Sequence, residues 1–227
     1  MNIKHYLSEN TDRVVRGVAA GLAVTVFAVA VSPIAYSAFE PEIAHALSAT
    51  DEVIVTLTVD AGISITDAAD TAMSRNLGVT ADTAIATSTW NVKTNNAAGY
   101  TLGVRATTSP AMRNGSNEIL DYTPAVAATP ETWSVANGAE FGFSAFGTDI
   151  NTTTWGTATG QCGAPHTPNS NLKYRDFDTS DITIGTRSAT TTTAGIDSTV
   201  CYAVEQDTFY IPSGVYQATI VATATAL

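Results

Sequence analysis

Positive charge is what this chain most lacks: ten lysines and arginines stand against 21 aspartates and glutamates in 227 residues. A surface of that sign repels phosphate backbones, which argues against nucleic acid as a partner. Histidine is scarce too, with only His5, His45 and His166, and cysteine is limited to Cys162 and Cys201. The chain has no Gly-x-Ser-x-Gly elbow, no His-Glu-x-x-His pair, no P-loop and no dinucleotide fingerprint, so no common catalytic or cofactor chemistry announces itself. After residue 50 there is no long 3.6-residue periodicity, apart from a turn or two over residues 66–76, and no internal repeat.

What is present points outward from the cell. Arg13 and Arg16 precede an uncharged apolar run from Gly17 to Val31, followed by Pro33 and small residues. That order is the order of a secretory signal. Two cleavage sites compete, Ala35-Tyr36-Ser37 and Ala44-His45-Ala46. The alternative is an uncleaved anchor, because extension to Ala38 brings the run close to the roughly 20 residues that span a bilayer. The membrane would then be touched only through this N-terminal helix. Removing residues 1–46 leaves seven basic and seventeen acidic side chains. Both cysteines lie in that exported part, where an even pair is expected to form a disulfide. Their bridge would close a loop worth roughly 4 kcal/mol in the chain-entropy view.

Long Thr/Ser tracts such as 190–193 suit a stalk, but 44% of the chain is hydrophobic and apolar alternation recurs along it, so the exported part should fold. Glu52–Val59 sets Val53, Val55, Leu57 and Val59 on one face of a strand, and residues 62–66 repeat the pattern. Pairing within its own sheet is the favoured reading for this strand; pairing with a neighbour's sheet edge is the other. Residues 84–94 and 100–107 flank Asn95-Asn96-Ala97-Ala98-Gly99 as a hairpin, with Trp90, Val92, Tyr100, Leu102 and Val104 facing the core. Pro110, Pro124 and Pro130 mark 109–131 as loops and edge strands. Residues 141–146 resume alternation and are read with all three phenylalanines on one face. Residues 147–170 read as a long loop holding Cys162, and strands return at 181–188, 199–204 and 215–226. Many short strands between Gly, Pro and Asn turns indicate an all-β antiparallel sandwich or barrel. The predicted organisation is residues 1–46 as signal peptide or anchor and 47–227 as one β domain.

Residues 92–102 (Val-Lys-Thr-Asn-Asn-Ala-Ala-Gly-Tyr-Thr-Leu) and 211–220 (Ile-Pro-Ser-Gly-Val-Tyr-Gln-Ala-Thr-Ile) carry a further signal. They resemble the "TNN-x-x-GYTL" hairpin and the "P-x-G-x-Y" last strand of small secreted β-sandwich proteins on bacterial surfaces. The resemblance covers about a fifth of the exported chain. It implies an immunoglobulin-like sandwich and brings no catalytic motif with it.

Three groups of side chains deserve weighing as sites. His166 sits between Pro165 and Thr167-Pro168 and reads as a surface histidine rather than a catalytic base. Asp176, Asp178 and Asp181 could gather carboxylates around calcium, but they lack the Gly and distal Glu of an EF-hand, and a solvated turn is the plainer reading. Trp90, Trp133 and Trp155 could form a sugar-binding platform, although aromatics in a sandwich more often fill its core. No cofactor is expected. Asn114-Gly115-Ser116 and Asn151-Thr152-Thr153 match glycosylation acceptors. The function expected from this balance is a non-enzymatic, exported surface or matrix protein: structural, adhesive or a filament subunit, with itself or other surface proteins as partners. A carbohydrate-binding module using exposed aromatics is the alternative, and an exported hydrolase the remote one.

Overall fold

The computed structural model describes residues 52–66, 68–135, 138–158 and 160–227; the expected signal segment lies outside them. Alternation along the chain translates directly into two sheets. The strands are β1 (Ile63–Thr66), β2 (Asp82–Thr94), β3 (Tyr100–Ala106), β4 (Met112–Asn114), β5 (Asn117–Asp121), β6 (Ala139–Gly147), β7 (Ile182–Arg187), β8 (Ile196–Gln206) and β9 (Ile220–Ala226), with one short helix, α1 (Thr152–Trp155), between β6 and β7. The larger sheet runs β1-β2-β8-β6-β5-β4 and the smaller runs β7-β3-β9. The chain is therefore all-β, with its core between two sheets. All pairings are antiparallel except β5 with β6, which align in parallel over Leu120–Asp121.

Period-two alternation assigns the faces. From β2, Ala84, Ala86, Trp90 and Val92 enter the inner core. They meet Phe141, Phe143 and Ala145 of β6 and Val200, Tyr202 and Val204 of β8 there. From the smaller sheet come Tyr100, Leu102, Val104 and Ile184. Phe177 stacks on Phe143 at 4.2 Å and on Phe141 at 5.6 Å, adding an aromatic spine. The hairpin of β2 and β3 turns where expected. Gly99 has φ of 85°, and a Cβ there would sit 1.9 Å from the Arg187 carbonyl oxygen, so only glycine fits. The register shift opposite Leu102 and Gly103, which pair with Gly185 and Thr183, marks a bulge on β7 with Ile184 as the extra residue.

The outer face of the larger sheet is also covered, which alternation alone does not reveal. Ile85, Cys201 and Ala203, pointing away from the inner core, are buried with Tyr122, Cys162, Leu172 and Tyr174. The covering material is the long segment after β6. Arg175 exchanges two 2.9 Å backbone hydrogen bonds with Phe143 along the edge of β6, and Tyr174 pairs with Glu131. Gly142 is what allows this layer to lie so close. A Cβ there would meet the Tyr122 Cβ at 2.6 Å and the Arg175 carbonyl at 2.8 Å.

Four expectations change. Residues 52–62 form no strand, and Val53, Val55, Leu57 and Val59 are 71–89% exposed. The described residues of 66–76 carry no helix. Phe146 does not share a face with Phe141 and Phe143: two are odd-numbered and one even, and Phe146 packs against the outer layer. By contrast, the proline-punctuated stretch carries the edge strands expected of it, as the hairpin β4–β5 turning on Gly115 with φ of 59°. Last, the strand expected from 215 begins only at Ile220. The segment before it instead bridges β4 through Arg113 and Gln217.

Candidate functional site

The outer layer gathers a linked group of chemistry-bearing side chains. Cys162 and Cys201 form the disulfide expected of them, with Cα atoms 5.3 Å apart across 39 residues. Cys201 comes from the outward face of β8 and Cys162 from the long loop, so the bond ties the covering segment to the sheet. Around it Tyr174 donates its hydroxyl to the Cys162 carbonyl at 3.1 Å. Trp133 stacks on Tyr122 at 4.6 Å and meets Tyr174 edge-on at 5.3 Å. Its indole N–H donates to Glu205 Oε2 at 2.6 Å. The Tyr122 hydroxyl donates to Glu131 Oε1 at 3.2 Å.

The three tryptophans do not gather. Trp90 and Trp155 belong to the inner core, the latter 2% exposed with its ring 5.1 Å from Phe143, whereas Trp133 is half-buried on the other side of the sheet. The three aspartates are likewise engaged apart. Asp176 pairs with Arg175 at 3.3 Å and Asp181 with Arg105 at 3.4 Å. Asp178 accepts the Ser180 backbone N–H at 2.9 Å, which holds its carboxyl below the usual range. Among the described residues no group of three His, Cys, Asp or Glu side chains is placed to hold a metal ion.

His166 acquires a partner that its loop did not announce. Its Nδ1 lies 2.9 Å from Ser74 Oγ, and that same oxygen accepts the Ile85 backbone N–H at 3.1 Å. Ser74 also donates its backbone N–H to the Ile85 carbonyl at 2.7 Å. The arrangement clips the loop before β2, the edge of β2 and the Cys162 loop together. The hydroxyl in this position already accepts a backbone N–H, and among the described residues no carboxylate accepts from the His166 ring, so the pair lacks the third member of a nucleophilic triad.

A second buried polar cluster stands at the end of the smaller sheet. Tyr100, fully buried, donates its hydroxyl to Asp149 Oδ2 at 2.8 Å, and Arg187 Nη1 sits 3.2 Å from Asp149 Oδ1. This ties the loop after β6 to β3 and β7 beside a shallow cleft of about 430 Å³ lined by Asp149, Asn151, Thr154 and Thr186. Desolvation raises the Tyr100 hydroxyl well above the ordinary tyrosine range, and the Asp149 carboxylate adds to it. Burial raises Tyr174 likewise, and raises Tyr122 and Tyr202 to about 12.

Those four shifts have one sign. A hydroxyl held neutral in the fold contributes stability that is intact below the ordinary value near 10 and is lost as pH rises through the folded values. The urea midpoint is therefore expected to be flat from pH 8 to 9 and to fall from about pH 10 upward. Phenolate absorbance of the native protein should lag that of the urea-unfolded protein. Complete native titration around pH 10 would contradict the burial of these rings.

Sequence reasoning missed the outer layer and the Ser74–His166 clip, both of which join residues far apart in the chain. The signal for the first was present in Ile85, Cys201 and Ala203, apolar side chains on the face that alternation assigns to solvent. Together the geometry defines a class, an all-β, two-sheet domain with a disulfide-tied covering layer. No known protein family matches this chain, and no curated protein is similar to it. Among the described residues no helix is long and apolar enough to cross a membrane.

Proposed function

We propose that this is a non-enzymatic, exported surface or matrix protein whose immunoglobulin-like domain serves a structural role. The observation that carries the reading is the buried Cys162–Cys201 bond: Cys162 is 3% exposed and Cys201 is fully buried. A disulfide of this kind forms and persists in oxidising compartments and is rare in the cytosol. The basic, then apolar, then small-residue order of the first forty-odd residues supports the same address. The side chains that could do chemistry are spent on holding layers together. His166 clips a loop, Asp149 clamps Tyr100 and Arg187, and Trp133 is anchored by Glu205.

Labelling intact producing cells with a membrane-impermeant amine reagent tests the address. Modification of Lys93 and Lys173 before lysis is the expected result; labelling only after lysis overturns it. The carbohydrate-binding alternative draws on Trp133, the one tryptophan of the three that is partly exposed, and on Phe209 and Tyr210, which are 69% and 59% exposed between β8 and β9. A glycan array probed with the parent protein, then with Trp133→Ala and Tyr210→Ala, decides it. Binding that falls at least tenfold in either variant favours the module, and an array with no binding removes it.

A further inference from the structure

Resting on the structural reading above, we propose that the segment Val53–Val59 of one copy adds as a strand to the free edge of β9 in a second copy, building a head-to-tail polymer. Four observations carry this.

First, β9 is paired on one side only. Among the described residues it forms a ladder with β3 and with no other strand. Its core-facing side chains show the consequence. Ala106, Val104 and Leu102 of β3 are fully buried, while their partners Ile220, Ala222 and Ala224 on β9 are only partly buried although packed against the same core. The inner core is only partly covered along this edge, where the four-residue β1 of the other sheet is the neighbouring strand.

Second, the edge is unguarded. Proteins usually blunt an exposed edge strand with charge, proline or a bulge. Residues 220–227, Ile-Val-Ala-Thr-Ala-Thr-Ala-Leu, contain no charged residue, no proline and no glycine, and their ladder with β3 runs without a register shift.

Third, the chain carries a strand-patterned segment that pairs with no described strand of its own fold. Val53, Val55, Leu57 and Val59 alternate with Ile54, Thr56 and Thr58, yet the four are 71–89% exposed and the segment forms no strand. Its seven residues match the seven of β9, about 23 Å at the usual rise. Its bulky Val and Leu side chains complement the small alanines of β9. Neither stretch is charged, so their contact escapes the repulsion expected between copies of a chain with net charge −11.

Fourth, the connection to β1 is held. Asn95, in the β2–β3 turn, accepts the Gly62 backbone N–H at 2.6 Å and donates to the Asp60 carbonyl at 2.8 Å. Val59 is thus followed by residues that are already tied down, which fixes the point from which the segment leaves the fold. Such a contact uses two different surfaces, so each added copy leaves a free segment and a free edge for the next. Backbone pairing supplies affinity, and alternate side chains supply specificity.

The test is the mass distribution of the protein recovered from the producing culture, measured by light scattering. The parent should form concentration-dependent oligomers. A variant lacking Glu52–Val59, and separately Leu57→Asp in the full chain, should be monomeric with the disulfide intact. A synthetic peptide of residues 52–60 should bind the deletion variant one to one, and its Leu57→Asp form at least tenfold more weakly. A monomeric parent overturns the inference even if the peptide binds, because the segment then completes its own sheet. Oligomers that survive both variants overturn it as well. A surface-exposed monomer sinks the polymer alone, whereas a cytoplasmic protein sinks the structural reading beneath it.

Discussion

Replacing Cys162 and Cys201 together with alanine is expected to lower the unfolding free energy by about 4 kcal/mol, the chain-entropy value for a loop of this length. The covering layer should suffer before the sheets do. The bond joins the outward face of β8 to a segment whose other ties are hydrogen bonds, such as Tyr174 to the Cys162 carbonyl and Asn169 to the Gln161 carbonyl. Without it the inner core, built from both sheets, keeps its contacts, while residues 156–170 gain freedom. Urea unfolding measures the first effect. Limited proteolysis measures the second, with new cuts expected inside 156–170 and the β2–β8–β6 region still protected. A loss below about 1 kcal/mol would mean that the outer layer is held by packing alone.

Truncating Trp155 to alanine should cost about 3–5 kcal/mol, the range for removing a fully buried large aromatic. The residue ends α1, whose start is capped by the Asn151 side chain accepting the Thr153 and Thr154 backbone N–H groups at 2.9 and 3.3 Å. That cap aims the ring at Phe143 in the inner core. Its own carbonyl accepts the Lys173 backbone N–H at 2.9 Å, so one residue positions both the start and the end of the long loop. Trp133→Ala, from the partly exposed ring, should cost less. The comparison bears on function too. A Trp155→Ala protein of unchanged stability would place that ring at the surface, where the sugar-platform reading needs it.

Much of this fold is legible in the residue order, for reasons that differ from strand to strand. The β2–β3 hairpin is declared by alternation on both sides of a turn ending in Gly99, and Trp90, Val92, Tyr100, Leu102 and Val104 all face inward as expected. The disulfide follows from there being two cysteines, both in the segment that the sequence marks for export. What escaped is what depends on distant contacts. The β4–β5 hairpin, by contrast, is local: Pro110 and Pro124 mark the stretch for edge strands, and Asn114-Gly115 supplies the turn. Strand pairing for Val53–Val59 is a fair reading of its pattern, yet a pattern states only that one face wants cover and not which molecule supplies it. The tryptophans show the same limit. Their type marks them for burial or for ligand contact, and only the fold separates Trp90 and Trp155, within the core, from Trp133 on the covering layer.

The most direct test of the account is the N-terminal sequence and thiol count of the protein recovered from the surface or medium of the producing cells. A chain beginning just after Ser37 or after Ala46, with no thiol open to alkylation until it is reduced, is the predicted result. A chain beginning at Met1, confined to the cytoplasm and carrying two alkylatable cysteines, would contradict it.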